Sequence, residues 1–150
     1  MLLYLFAVFD EELCLPENTN NLNLKLNGSH GTLQSPMEDY VTLRCEWLIT
    51  VPDGKVVELS FERFQLHPRD QRKKCYSNSL EVFDGKYESG DSLGVYCDIV
   101  VPEPMKSSSR YMRVRFISTI RYFRLYPGFQ ATFTAVDKQS KFKVFMSSFN

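Results

Sequence analysis

The sequence predicts an all-β sandwich, and three features support that prediction. Short stretches of β-branched and aromatic residues recur along the chain at near-regular spacing, separated by Gly, Pro and Asn. Within several stretches apolar and polar residues alternate, as in strands with one buried face. No segment keeps a helical period over roughly ten residues. These features favour a sandwich of short strands.

Three of the predicted strands follow from local patterns. Leucines alternate with Asn and Lys in Leu22–Leu26. The stretch Val56–Phe61 is rich in β-branched and aromatic residues and follows a Pro-Asp-Gly turn. A further strand runs from Leu80 and ends at an Asp-Gly turn, Asp84-Gly85. Each stretch is therefore predicted to be extended.

Two later stretches show the clearest alternation. In Tyr111–Ile117 a period of two places Met112, Val114 and Phe116 on one face and the arginines on the other. In Phe129–Ala135 Phe and Ala alternate with Gln and Thr. The apolar faces of both strands are predicted to line the core.

Composition limits the class of protein. The 150 residues are 43% hydrophobic and 14% aromatic, enough for one domain with a core and incompatible with disorder. The net charge is zero, which argues against a polycationic nucleic-acid binder. Residues 1–66 carry 4 basic and 10 acidic side chains, whereas residues 67–150 carry 14 basic and 8 acidic ones. No apolar run reaches the roughly 18 residues of a transmembrane helix.

The cysteines indicate an oxidising compartment. Four cysteines, at positions 14, 45, 75 and 97, lack the short spacing or histidine partners of a zinc site, so two disulfides are expected. Sequence alone leaves three pairings open. The sequence Asn27-Gly28-Ser29 is an acceptor for N-glycosylation.

The N-terminal segment Met1–Phe9 is apolar like the core of a signal peptide, but it lacks a basic start and a cleavage site. A clipped signal, a first strand and a misplaced gene start therefore all remain open.

Six short motifs resemble, in order, those of the CUB family of extracellular modules. They match G-x-I-x-S-P, C-x-W-x-I, F-x-x-F-x-L, a cysteine-led stretch ending L-E-V-x-D-G, L-G-x-Y-C and G-F-x-A-x-F. The matching segments are Gly31–Pro36, Cys45–Ile49, Phe61–Leu66, Cys75–Gly85, Leu93–Cys97 and Gly128–Phe133. The resemblance runs from Cys14 to about Val136, so residues 1–13 are expected to be a signal remnant or leading strand, 14–136 the CUB-like domain and 137–150 a tail or linker.

The resemblance implies a CUB-type jelly-roll β-sandwich of two antiparallel sheets. It also implies the disulfides Cys14–Cys45 and Cys75–Cys97, each expected to contribute about 2–4 kcal/mol to the free energy of unfolding. Trp47, two residues beyond a half-cystine, is expected in the core rather than at a ligand.

The calcium site of many CUB modules is predicted to be lost. The family's Glu position is occupied by His67, its first Asp position by Asn78 and its second by Thr119, while Tyr40 matches a supporting tyrosine. Calcium takes six to eight oxygen ligands, with carboxylates supplying most of the attraction. We therefore expect no useful calcium site, and no cofactor is implied.

A basic segment follows His67 and suggests an anionic partner instead, such as a sulfated glycan or an acidic protein surface. Arg110, Arg113 and Arg115 add positive charge further along. The competing interpretation is an ordinary solvated loop and outward strand face. The candidate binding residues are Arg69, Arg72, Lys73, Lys74, Arg121 and Arg124.

Catalysis is not expected. Gly90–Leu93 spells a hydrolase-like signature, but an activated serine needs a histidine base, and His30 and His67 both precede it, unlike the late histidine of such hydrolases. The segment reads more simply as a turn before a strand. The expected function is a non-catalytic, extracellular protein- or glycan-binding module, either a docking domain of a larger protein (an extracellular protease included) or a free-standing, spermadhesin-like binder of glycan or heparin.

Overall fold

The computed structural model describes residues 23–36, 43–87, 89–119 and 125–138. These residues form strands and connecting loops and contain no helix. None of them belongs to a helix long and apolar enough to span a membrane. The strands are β1 (Asn23–Asn27), β2 (His30–Gln34), β3 (Leu43–Thr50), β4 (Lys55–Gln65), β5 (Asn78–Asp84), β6 (Asp91–Tyr96), β7 (Met105–Lys106), β8 (Tyr111–Ser118) and β9 (Gly128–Asp137).

The strands form two sheets, which confirms the predicted all-β sandwich. One sheet has the order β1-β3-β8-β5-β6 and the other β2-β9-β4-β7. One pair differs from the expected antiparallel arrangement, because β1 pairs with β3 in parallel. The chain leaves β1 for β2 in the opposite sheet before it enters β3, and such a crossover permits the parallel pairing.

The core lies between the two sheets. Met112, Val114 and Phe116 are buried, as the alternation in β8 predicts, and they meet Phe129 and Phe133 of β9 from the other sheet. Their ring and aliphatic carbons belong to one continuous hydrophobic cluster. The core assignment of these strands from sequence is confirmed.

Trp47 is also in this core. It is 1% exposed, and its ring meets that of Phe129 edge to face at a centroid distance of 5.8 Å. The expected position of Trp47 is thus confirmed. Phe129 is held in turn by Ser35, whose Oγ accepts a hydrogen bond of 3.0 Å from the Phe129 amide. At Gly128 a Cβ would overlap Ser35 Oγ, and φ is +102°, so only glycine fits at this join between two of the motifs.

The predicted disulfide Cys75–Cys97 is present, with a Cα–Cα distance of 5.7 Å. Cys45 is also disulfide-bonded. Its expected partner Cys14 lies outside the described residues, as do Met1–Phe9 and the tail after 138. The pairing Cys14–Cys45 and the domain boundaries therefore stay predictions.

The sandwich has two ends, called here the loop end and the far end. At the loop end, Asn78 of β5 and Leu43 of β3 both pair with Ser118 of β8. At the far end, Thr50 pairs with Tyr111 and the strand β5 runs into its turn after Asp84. The eight residues of β3 separate the two ends by about 23 Å.

Candidate binding surface

The three positions expected to replace calcium ligands do meet at the loop end. The Oδ1 atom of Asn78 accepts a hydrogen bond of 2.9 Å from the His67 amide, and Nδ2 donates one of 2.7 Å to Ser118 Oγ. Thr119 donates from its amide and its hydroxyl to the carbonyl of Ser77, at 2.8 and 3.2 Å. Tyr40 lies outside the described residues.

These contacts do not suit a calcium ion. The Asn78 oxygen already joins two segments of the chain, and Asn78 is buried. The ring of His67 packs edge to face against Tyr126, with centroids 5.1 Å apart, and offers nitrogen rather than oxygen. Among the described residues, no group of three His, Cys, Asp or Glu side chains is placed to hold a metal. The residues present fit a structural link between β4 and β5 better than a metal site.

Beside this link lies the basic loop, defined here as Pro68–Lys74. Asp70 organises it, because its Oδ1 accepts hydrogen bonds from the amides of Arg72 and Lys74 at 3.0 and 2.7 Å. The backbone closes on itself as well: the Asp70 amide donates to the Lys74 carbonyl and the Lys73 amide to the Asp70 carbonyl, both at 2.9 Å. Lys73 takes the left-handed φ of +63° that this tight turn requires.

Asp98 attaches the basic loop to the rest of the domain. Its carboxylate accepts a hydrogen bond of 3.3 Å from the Arg69 amide and lies 3.4 Å from Arg69 Nε. The backbone of Asp98 bonds to that of Leu66 and His67. Since Asp98 follows the half-cystine Cys97, the disulfide and the carboxylate together fix the loop at both of its ends.

The candidate cations differ in what they contact. Arg69 is committed within the loop, since it also donates 3.1 Å from Nη1 to the Lys73 carbonyl. The side chains of Arg72, Lys73 and Lys74 are exposed, and none makes a hydrogen bond or ion pair with the residues that the structure describes. Arg121 and Arg124 lie outside the described residues. Within the part of the chain that the structure describes, the loop thus presents three unpaired positive charges on a backbone held by hydrogen bonds.

The two arginines on the outward face of β8 form ion pairs with a buried acid. Arg113 and Arg115 lie 3.3 and 2.6 Å from the carboxylate of Glu46, and Arg44 lies 3.2 Å from it. The guanidinium of Arg115 also lies 5.0 Å from the ring centroid of Phe83. Glu46 is 3% exposed beneath these side chains. The outward direction of the arginines is as predicted, but Glu46 offsets part of their charge.

The sequence did not predict the role of two acidic residues, Asp70 and Asp98, in holding the basic loop. Asp70 sits among basic residues, and an Asp in a turn-like segment is a recognisable signal for side-chain bonding to nearby amides. Asp98 gives no local signal, because its contacts are 29 to 32 residues away along the chain. Contacts between residues so far apart in the chain can be identified only in the folded structure.

The hydrolase-like signature lies on strand β6 and its preceding turn. The strand begins at Asp91, two residues earlier than the motif reading suggests, because Asp91 pairs with Asp84 across the β5–β6 hairpin. Ser92 is therefore near the far end, whereas His67 is at the loop end and His30 is on β2 in the other sheet. The described geometry brings no histidine to this serine.

The acceptor Asn27 is exposed at the end of β1. It pairs with Thr50, and the Gly28 amide donates to the Thr50 carbonyl at 3.1 Å, which places the acceptor at the far end. The acceptor and the basic loop are thus at opposite ends of the sandwich.

Comparison with known proteins gives a consistent family. The family model described as CUB domain matches residues 22–133. Human cubilin is 35% identical over 117 residues, which cover 75% of this chain and 3% of cubilin. Human tolloid-like protein 1 is 33% identical over 111 residues, covering 72% of this chain and 10% of that protein. The solved CUB1-EGF-CUB2 domains of rat MASP-1 match with a TM-score of 0.65 and 26% identity, over 79% of this chain and 44% of theirs.

Proposed function

Because this chain belongs to the CUB domain family, we propose that it is a non-catalytic, extracellular binding module that docks a larger multidomain protein onto its partner. The chain spans 3% of human cubilin and 10% of human tolloid-like protein 1, and these small shares support a role as part of a larger protein. The rat MASP-1 match, in which CUB domains flank an EGF domain, supports it too. The sandwich then serves as a rigid frame for its end loops.

The binding site that we propose is the basic loop, and its partner is anionic. The observation that carries the proposal is the set of three exposed cations, Arg72, Lys73 and Lys74, on a backbone fixed by Asp70 and Asp98. Fixed charges lose little conformational freedom on binding, so they attract an anionic surface more effectively than a mobile tail. Arg69 holds the loop, and Arg121 and Arg124 stay candidates.

Retention on a heparin column tests this proposal. The variant Arg72→Ala, Lys73→Ala, Lys74→Ala should elute at clearly lower salt than the wild type. A matched variant, Lys25→Ala, Lys106→Ala, Lys138→Ala, removes the same charge from exposed positions outside the loop and should elute close to the wild type. Equal losses in both variants would mean that only net charge matters, and the basic loop would then not be the site.

The remaining assignments belong to the same proposal. In this proposal the domain covers residues 14–136, residues 1–13 are a signal remnant or leading strand, residues 137–150 are a tail or linker, and Cys14 pairs with Cys45. A glycan on Asn27 would occupy the far end and leave the basic loop accessible, because about 23 Å separates the two ends.

The second candidate is a free-standing module similar to spermadhesins, which are single CUB modules that bind glycans. The three exposed cations also support this alternative, because sulfated glycans are anionic. The mass of the native protein, measured before and after reduction and deglycosylation, distinguishes the two. A mass near that of one module supports the free-standing binder, and a mass several modules larger supports the docking unit.

A further inference from the structure

Exposed apolar side chains gather beside the basic loop. Among the described residues, Ile99 and Val100 are 64% and 74% exposed, and Val101 follows them with its side chain also exposed. Tyr76, which precedes β5, is 60% exposed. We name Tyr76 and Ile99–Val101 together the apolar strip. Single exposed apolar residues are ordinary, but consecutive ones next to a charged loop mark an interaction surface.

Covalent and hydrogen-bond contacts place the apolar strip next to the cations. The Cys75–Cys97 disulfide joins the segment before Tyr76 to the segment before Ile99. Asp98, the residue that precedes Ile99, contacts Arg69 through its carboxylate. The apolar strip therefore begins next to both attachment points of the basic loop, with Tyr76 beside Cys75 and Ile99 beside Asp98.

A third segment of the chain adds an exposed apolar residue at the same end. Leu125 is exposed, and its neighbour Tyr126 packs against the ring of His67, the residue that precedes the basic loop. The loop end thus carries apolar groups from three separate segments of the chain. By contrast, the exposed Tyr87 lies in the β5–β6 turn at the far end, with Lys86 Nζ 6.0 Å from its ring centroid.

The composition of this surface indicates what kind of partner it fits. The sulfate groups of a glycan would pair with the cations. The sulfates and hydroxyls of a glycan would, however, leave the aliphatic side chains of Ile99 and Val100 in contact with water or polar groups. Removal of apolar surface from water is the main favourable contribution to most protein associations, and it needs apolar surface on the partner. A protein segment with carboxylates beside aliphatic or aromatic side chains complements both parts.

We propose that the apolar strip and the basic loop form one docking surface for a protein segment that carries acidic residues next to apolar ones. This inference rests on the proposed function of the basic loop and names the class of its partner. The loop supplies orientation and attraction, and the strip supplies the apolar contact that lengthens the lifetime of the complex.

Selection from a library of random peptides displayed on phage tests the inference. The wild-type protein should enrich peptides that combine Asp or Glu with Leu, Ile, Phe or Trp. Synthetic versions of these peptides should bind at least about tenfold more weakly to Ile99→Ser, Val100→Ser and to Arg72→Ser, Lys73→Ser, Lys74→Ser. All five substituted residues are exposed, so the variants should keep the melting temperature of the wild type within a few degrees.

The two tyrosines provide a matched control. Tyr76 and Tyr87 have similar exposures, 60% and 66%, at opposite ends of the domain. The variant Tyr76→Ser should weaken peptide binding, whereas Tyr87→Ser should leave it unchanged. Equal effects of the two substitutions would overturn the placement of the surface.

The outcomes separate this inference from the proposal on which it rests. If heparin retention depends on the basic loop but no acidic-apolar peptide is enriched, or Ile99→Ser, Val100→Ser binds as the wild type does, the partner is a glycan. The inference is then wrong, and the proposed function stands. If neither heparin nor selected peptides respond to the loop variant, both are wrong.

Discussion

At the scale of single residues, Glu46 shows how a polar side chain on the outward face of a strand becomes buried. Its backbone pairs with Arg115 of β8, and its carboxylate contacts Arg44, Arg113 and Arg115. The three guanidinium groups surround the carboxylate, and Glu46 is buried. Glu46 and its three arginine partners therefore stabilise the five-stranded sheet, and we assign them no role in binding.

Replacing Glu46 should destabilise the domain. In Glu46→Gln the carboxylate charge is lost while Arg113 and Arg115 stay partly buried, so we expect the free energy of unfolding to fall by about 2–4 kcal/mol. Glu58→Gln is the matched control, because Glu58 is one-third exposed and its ion pair with Lys106 is worth under about 1 kcal/mol. Denaturant unfolding measures both, and equal losses would contradict the buried role of Glu46.

At the scale of elements, the basic loop owes its conformation to one acid, Asp70, which stands among the four Arg and Lys residues of the loop. The charge of the loop was predictable, because charge is a property of composition. Its fixed backbone was not, since the loop depends on Asp70 accepting from Arg72 and Lys74 and on the remote Asp98. A charged segment alone is equally consistent with a mobile loop.

Removing Asp70 should loosen the loop without unfolding the domain. In Asp70→Ala the amides of Arg72 and Lys74 lose an acceptor with a net contribution of roughly 1 kcal/mol, so their hydrogen exchange should be about five times faster. Asp53→Ala removes an exposed acid from a turn at the far end and should not change these amides. Unaltered exchange at Arg72 and Lys74 in Asp70→Ala would show that Asp70 does not hold the loop.

At the scale of the whole molecule, the loop end is where β5, β8 and the segment after β4 meet. His67, Asn78 and Ser118 join β4, β5 and β8 through hydrogen bonds between neutral groups. A cluster of carboxylates at such a point would repel itself without a cation, whereas these neutral groups satisfy each other. The loop end is therefore expected to be stable without metal.

Calcium should not stabilise the wild-type protein. Addition of millimolar calcium chloride is expected to leave the melting temperature unchanged, because the available side-chain oxygens are few and already bonded. The variant His67→Glu, Asn78→Asp, Thr119→Asp introduces three carboxylates, and its melting temperature should rise when calcium is added. A clear rise in the wild type would contradict the prediction, and thermal unfolding followed by circular dichroism measures both proteins.

The sequence by itself determined the fold class, the family, the Cys75–Cys97 pairing implied by that family, and the buried faces of strands such as β8. These features depend on local periodicity and on short motifs with fixed spacing, and both can be recognised in the sequence alone. Only the tertiary structure decided that Glu46 offsets the β8 arginines, that Asp98 anchors the basic loop and that Ile99 and Val100 are exposed beside it. The β-branched residues at 99–101 would suggest a buried strand from composition alone. These features could not be predicted from the sequence because ion pairs and burial bring together residues that are far apart in the chain, and no local pattern specifies which residues will meet.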